Sequence, residues 1–302
     1  MIELTDTNAS AIAAAFVKDR IRAGSPAMGM VLTLIVVVDD DNAADAMAHA
    51  RAASHEHPAR VLGVILGDGR GAPHVHAQVG IGQGWTGETA LIWLSGEVVK
   101  RPDSVVLPLL LPDSPVAIWW ATNAPMDPAA DPLGGLAQRR ITDAAAVTRG
   151  KQQAMRTLCA AYAPGNTDLA WTRLTLWRAL LASALDQYQV PVISASVTAE
   201  RISPSADLMV TWLAARLKAP VRRKNSQGPG LTEVVMETKL GPIRIGRRDG
   251  KLATISSPDR PDRPIALKRL EIPALLAEEL RRLDEDEVYA QVARAFAKKR
   301  LS

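Results

Sequence analysis

All five histidines of this 302-residue chain fall between positions 49 and 76, as His49, His55, His57, His74 and His76. Imidazole is a common zinc ligand, and on a strand His74 and His76 would point to the same side. A metal site could be drawn from that pair together with His55 and His57. No cysteine or acidic residue is spaced to complete the ligand set or its outer shell, so hydrogen-bonded or solvated histidines are expected and no metal. Two glycine-rich stretches, Gly67-Asp68-Gly69-Arg70-Gly71 and Gly80-Ile81-Gly82-Gln83-Gly84, follow strand-like runs as phosphate loops do. A phosphate loop must open a helix whose N-terminus faces the anion, whereas Pro73 to Ile81 reads as a strand, so hairpin loops are expected.

Nucleophilic chemistry has less support. There is no Gly-x-Ser-x-Gly elbow, and Cys159 has no histidine near it in sequence. Asp39, Asp40 and Asp41 are adjacent at a strand end, where helix capping accounts for them without acid–base work. These residues assemble no catalytic centre and call for no cofactor.

Binding is the remaining class. Net charge is only +4, but Lys218, Arg222, Arg223, Lys224, Lys239, Arg244, Arg247, Arg248 and Lys251 gather late with few carboxylates between them. No aromatic residue lies between Val221 and Ser257 to stack on bases, so nucleic acid is not the expected partner. A phosphate-ligand or nucleic-acid module built on Arg222, Arg223, Arg247 and Arg248 is the alternative reading. Tryptophan is the unusual signal, with seven in a chain whose aromatic content is 4%. Trp119, Trp120, Trp171 and Trp177 flank or follow the central segment. Such rings mark protein interfaces and also fill cores, and both roles stay open.

Hydrophobic content of 47% against 23% charged residues is that of a chain that folds, and its length favours two cores. The predicted elements are helices over Ser10–Ala23, ended by Gly24 and Pro26, and Ala43–Ser54, with a buried strand over Val31–Val38 and strands over Arg60–Leu66, His74–Ile81 and Thr89–Leu94. The second half gives a helix over Asp168–Gln187, a strand over Pro191–Val197, a helix over Ser205–Lys218, a short strand over Pro220–Arg223, a hairpin of Leu231–Lys239 with Ile243–Arg247, and Leu252–Ile255 after the turn Asp249-Gly250. The expected class is α/β with mixed α+β sheets: two similar αβαβββ units, a Pro/Gly-rich central segment and a C-terminal helix pair over Ile272–Lys299. That pair starts acidic at Asp284–Glu287 and ends basic at Lys298–Arg300, as helix dipoles favour. Expected boundaries are 1–125, 126–165 and 166–302, with Val116–Ala121 joining a sheet. No apolar run reaches the roughly 18 residues of a membrane span, the N-terminus lacks a signal-type pattern, and a single cysteine suits a reducing cytoplasm.

Asp168-Leu169-Ala170-Trp171-Thr172-Arg173-Leu174-Thr175-Leu176-Trp177-Arg178 resembles the signature of the OpcA family, the glucose-6-phosphate dehydrogenase assembly proteins of actinobacteria and cyanobacteria. Leu111-Pro112-Asp113-Ser114-Pro115-Val116-Ala117-Ile118-Trp119-Trp120 and Val192-Ile193-Ser194-Ala195-Ser196-Val197 support the resemblance in order and spacing. The family commonly has proline where Leu176 stands, which bears on where the local helix begins. The resemblance implies a non-enzymatic partner of that dehydrogenase, an assembly factor or allosteric activator in the oxidative pentose phosphate route that supplies NADPH. A redox mechanism would need more than Cys159. The candidate partner-binding or inter-unit residues are Trp119, Trp120, Arg139, Arg140, Trp171, Arg173, Trp177 and Arg178.

Overall fold

A computed structural model describes residues 1–22, 29–81, 87–188, 190–247 and 250–298. The helix stop at Gly24 and Pro26, the loop Gly82-Gln83-Gly84, Arg248, the Asp249 half of its turn, and the basic end at Lys299 and Arg300 lie outside the described residues.

The first half contains β1 (Ile2–Leu4), α1 (Ala9–Arg22), β2 (Leu32–Val38), α2 (Ala43–Ala53), β3 (Ala59–Leu66), β4 (His74–Ile81), β5 (Glu88–Ser95), the short α3 (Asp103–Val106), β6 (Val116–Trp120) and β7 (Arg139–Thr142). With β8 (Asn166–Asp168) its strands form one sheet in the order β1-β4-β5-β3-β2-β6-β7-β8. The run from β5 through β3, β2 and β6 to β7 is parallel, and β4 and β1 add antiparallel at one side. A central parallel strand is covered on both faces and so reads as unbroken apolar sequence. Accordingly, all seven residues of β2, Leu-Thr-Leu-Ile-Val-Val-Val, are buried. Strand β5, one place from the antiparallel side, alternates buried and half-buried residues instead. At the end of β2 the Asp39 side chain accepts from the Asn42 amide at 3.0 Å. The Asn42 side chain donates to the same oxygen, which holds this carboxyl below its ordinary range. That is the capping role expected of the acidic cluster.

The second half contains α4 (Lys151–Ala160), the single-turn α5 (Leu169–Thr172), α6 (Thr175–Gln187), β9 (Val192–Glu200), α7 (Pro204–Leu217), β10 (Val221–Ser226), β11 (Leu231–Thr238), β12 (Gly241–Gly246), β13 (Leu252–Ser257), β14 (Arg260–Ala266), α8 (Ile272–Arg281) and α9 (Glu287–Ala297). Its sheet runs β10-β9-β11-β12-β13-β14. Only β9 and β10, linked through α7, are parallel. At one edge β14 carries Pro261 and Pro264. Proline lacks an N–H, so these two positions blunt the strand against further pairing.

The class is therefore mixed α/β, with αβαβββ element order in both halves: α1-β2-α2-β3-β4-β5 and α6-β9-α7-β10-β11-β12. Both share a parallel β-α-β start and then diverge. In the first sheet β5 lies beside β3, and in the second β11 lies beside β9. This difference corrects one loop: β3 is not paired with β4, so Gly67 to Pro73 carries the chain past the position β5 later fills and closes no hairpin.

Two compact units result. Unit 1 comprises Met1–Asp143, Ala163–Thr167 and Ile272–Glu285, and unit 2 comprises Ala144–Tyr162, Asp168–Glu271 and Asp286–Ser302. Residues 126–165 contribute β7 to the first sheet and α4 to the second unit. The C-terminal helices part company, α8 packing on α2 in unit 1 and α9 on α4 and α7 in unit 2. Core residues of unit 1 include Ile12, Phe16, Ile35, Leu62, Ile92 and Trp120. Those of unit 2 include Trp171, Trp177, Val197, Met209, Met236 and Phe296. No helix among the described residues is long and apolar enough to cross a membrane.

Candidate functional site

The segment Asp168 to Arg178 is two helices, since the predicted continuous helix over Asp168–Gln187 breaks at Arg173 and Leu174 between α5 and α6. Asp168 organises the entry. One carboxylate oxygen accepts from the Ala170 amide at 2.8 Å, capping α5, and the other accepts from the Ala144 amide at 3.0 Å. A carboxylate with no exposed surface needs such donors to stay in the interior. Leu176 is the second residue of α6. First-turn amides have no carbonyl partner within their helix, which is why proline is compatible with this position.

Trp171 is 1% exposed. Its indole N–H donates to Asp286 Oδ2 at 2.8 Å, while Asp286 Oδ1 accepts from the Tyr289 amide at 2.8 Å and caps α9. The Arg178 guanidinium lies 3.8 Å from the Trp171 ring centroid, and Tyr289 packs on the same indole at 5.7 Å. A desolvated guanidinium–indole stack contributes about 1–2 kcal/mol. Trp177, also 1% exposed, has the Arg247 guanidinium 5.2 Å away. The exposed members of the segment are few: Leu176 at 41%, with Arg173 and Arg178 half-buried.

The other candidate residues lie in unit 1. Trp119 and Trp120, adjacent on β6, project to opposite faces and are 4% and 3% exposed. Among the described residues the Trp119 indole N–H has no acceptor. Arg139 on β7 donates through Nε and Nη2 to Glu279 Oε2 of α8 at 3.1 and 2.5 Å, and through Nη1 to the Asp284 carbonyl at 3.0 Å. Arg140 donates to Asn166 Oδ1 at 2.6 Å, to the Ala137 carbonyl at 2.6 Å and to the Pro164 carbonyl. The neighbouring Gly165 has φ +88°, and a Cβ there would sit 2.1 Å from the Gln138 carbonyl oxygen. Only glycine fits that turn. Arg139, Arg140, Trp120, Trp171, Trp177 and Arg178 are thus engaged inside their own units.

His74 Nδ1 pairs with Asp6 at 2.5 Å and His76 Nε2 approaches Glu3 at 3.6 Å. Among the described residues no three His, Cys, Asp or Glu side chains are grouped to hold a metal ion. Cys159 is buried and donates to the Met155 thioether at 3.5 Å. Burial, and secondarily Asp168, push its thiol pKa up to about 12, so it carries no thiolate at neutral pH. Of the basic hairpin residues, Arg247 is 6% exposed and donates to the Leu267 and Leu231 carbonyls at 2.9 and 3.2 Å. Arg223 is half-buried and donates to the Ala199 and Glu200 carbonyls; burial lowers its pKa. Arg222 and Lys224 are exposed.

One cluster had no signal in the sequence. Glu88, 3% exposed, accepts from Arg20 and from Arg60, whose Nη1 also reaches the Leu109 carbonyl. Its partners are 68 and 28 residues away, beyond any local pattern.

Two family models match the chain in succession, and both describe a glucose-6-phosphate dehydrogenase subunit. The model of its N-terminal domain matches residues 50–160, and the model of its C-terminal domain matches residues 164–293. No curated protein matches the chain.

Proposed function

We infer the function from one premise: the chain belongs to the OpcA family of glucose-6-phosphate dehydrogenase subunits. It works as a non-enzymatic assembly factor or allosteric activator that binds glucose-6-phosphate dehydrogenase, in the cytoplasm and in the oxidative pentose phosphate pathway. The matches to both halves carry this reading. In the signature, Asp168 caps α5, Trp171 ties it to the start of α9 through Asp286, and Arg178 of α6 stacks on Trp171.

A protein of this kind activates by binding the active enzyme form more tightly than the inactive one. A preference of about 1.4 kcal/mol shifts that balance tenfold. Exposed Leu176, flanked by half-buried Arg173 and Arg178, is the proposed centre of the contact patch, because a partner that covers it removes apolar surface from water. The buried tryptophans and Arg139 then act indirectly, by keeping the two units folded. Copurification with the dehydrogenase, and its assembly and turnover with and without this chain, test the reading. Unchanged assembly, substrate affinity and turnover would refute it. A Leu176→Asp chain that folds normally and still activates fully would move the contact elsewhere.

A further inference from the structure

Unit 2 contains a cleft of about 240 Å³ between the C-terminal half of α6 and the β13–β14 hairpin. Leu180, Ser183, Ala184 and Gln187 are spaced i, i+3, i+4 and i+7, so they form one face of α6 and supply one wall. Ile255, Pro264 and Ile265 supply the apolar opposite side, with Arg263 beside them. The volume lies just below the roughly 300–1,000 Å³ of pockets for drug-sized ligands, which suits a small metabolite.

Arg263 lines this cleft, and Arg260, outside the lining itself, meets it at Gln187. Arg260 Nη1 and Arg263 Nη2 both reach Gln187 Oε1, at 3.0 and 3.4 Å, so two cations converge on one neutral oxygen. Arg260 is further steadied over the Tyr188 ring at 5.1 Å. Among the described residues, neither guanidinium meets a carboxylate within ion-pair distance. Neither Asp186 nor Asp262 is among the residues that line the cleft. Ser183 Oγ accepts from the Gln187 amide at 3.4 Å and keeps its own proton to donate. The Tyr188 hydroxyl donates to the Pro258 carbonyl at 2.9 Å and shares a hydrogen bond with Ser257 at 2.8 Å, which ties the hairpin to the end of α6.

We propose that this cleft binds a small phosphate monoester, its dianion bridging Arg260 and Arg263 and its carbon skeleton lying against Leu180, Ala184, Ile255 and Ile265. Two guanidiniums match the charge of a phosphate dianion, and their fork geometry suits its oxygens. The site is a property of this chain alone, so its failure and failure of the dehydrogenase reading are separate outcomes.

Isothermal titration of the full chain with a hexose 6-phosphate, glycerol 3-phosphate, the free hexose and inorganic phosphate tests it. Saturable binding of at least one monoester is expected with a Kd of about 1 mM or tighter, with inorganic phosphate about tenfold weaker and no binding of the free hexose. Arg260→Gln with Arg263→Gln should weaken monoester binding at least about tenfold without changing the thermal midpoint, both side chains being exposed. Ser183→Ala should weaken it several-fold. Absence of binding by both monoesters, equal binding of inorganic phosphate, or undiminished binding by the double variant would each overturn the proposal.

Discussion

Replacing Glu279 by alanine should destabilise unit 1 far more than loss of a surface ion pair would. The side chains of Arg139 and Glu279 are 5% and 6% exposed, so both charges were removed from water when β7 and α8 came together. After Glu279→Ala, Arg139 keeps only its bond to the Asp284 carbonyl at 3.0 Å, and a buried guanidinium stands without its counter-ion. Removing one member of a buried pair costs about 3–5 kcal/mol. With a urea m-value of about 3 kcal/mol/M, the unfolding midpoint should fall by about 1 M or more. The double substitution Arg139→Met with Glu279→Leu removes the stranded Arg139 guanidinium as well, and should recover most of that loss. Urea titrations followed by far-UV circular dichroism measure both. A shift below about 0.3 M for the single variant, or a double variant as unstable as the single, would show that this pair does not hold α8 in place.

Trp171→Phe removes the indole donor to Asp286 and should cost about 1.5–3 kcal/mol, the range for hydrogen bonds to charged groups, in thermal or urea unfolding. Leu176→Pro should be tolerated because its amide belongs to the first turn of α6, whereas Leu180→Pro should cost about 3 kcal/mol or more. The Cys159 thiol, with its pKa pushed up to about 12, should resist alkylation in the native chain at pH 8 and react on unfolding. Its raised folded pKa stabilises the fold in full below the ordinary thiol pKa near 9. That stabilisation drains away as pH climbs toward 12, by about 1.4 kcal/mol per pH unit. Comparing wild type with Cys159→Ala across this window should show the slope disappear.

The elements whose partners are local or whose pattern is strong were legible. Apolar Val31 to Val38 became β2, and the strand expected over Pro191–Val197 became part of β9. Strand β7 is Arg-Arg-Ile-Thr and reads as polar, because the residue that neutralises Arg139 is Glu279, 140 positions later. Strand β14 was hidden by Pro261 and Pro264, which argue against a strand until it is placed at a sheet edge. Arg247 looked like surface charge for the same reason that Arg139 did: its acceptors, the Leu231 and Leu267 carbonyls, come from other strands and loops. The tryptophans could be weighed only as interface or core; Trp120 joins the core of unit 1, and Trp171 and Trp177 that of unit 2. Helix α4 lies just past a segment crowded with proline and glycine and is preceded by Gly150 in a left-handed conformation, which masks its start.

The division of α8 and α9 between the units bears on how the chain folds as it leaves the ribosome. Ile272–Glu285 completes the first unit, although its sheet is composed mostly of residues made long before. During synthesis the surface of α2 that α8 will cover must therefore wait, uncovered, while more than two hundred intervening residues are made. Domain-by-domain folding, the usual safeguard against aggregation of nascent chains, is unavailable to this topology. Nascent chains stalled before Ile272 should accordingly engage chaperones through the α2 face, and release them once α8 has emerged.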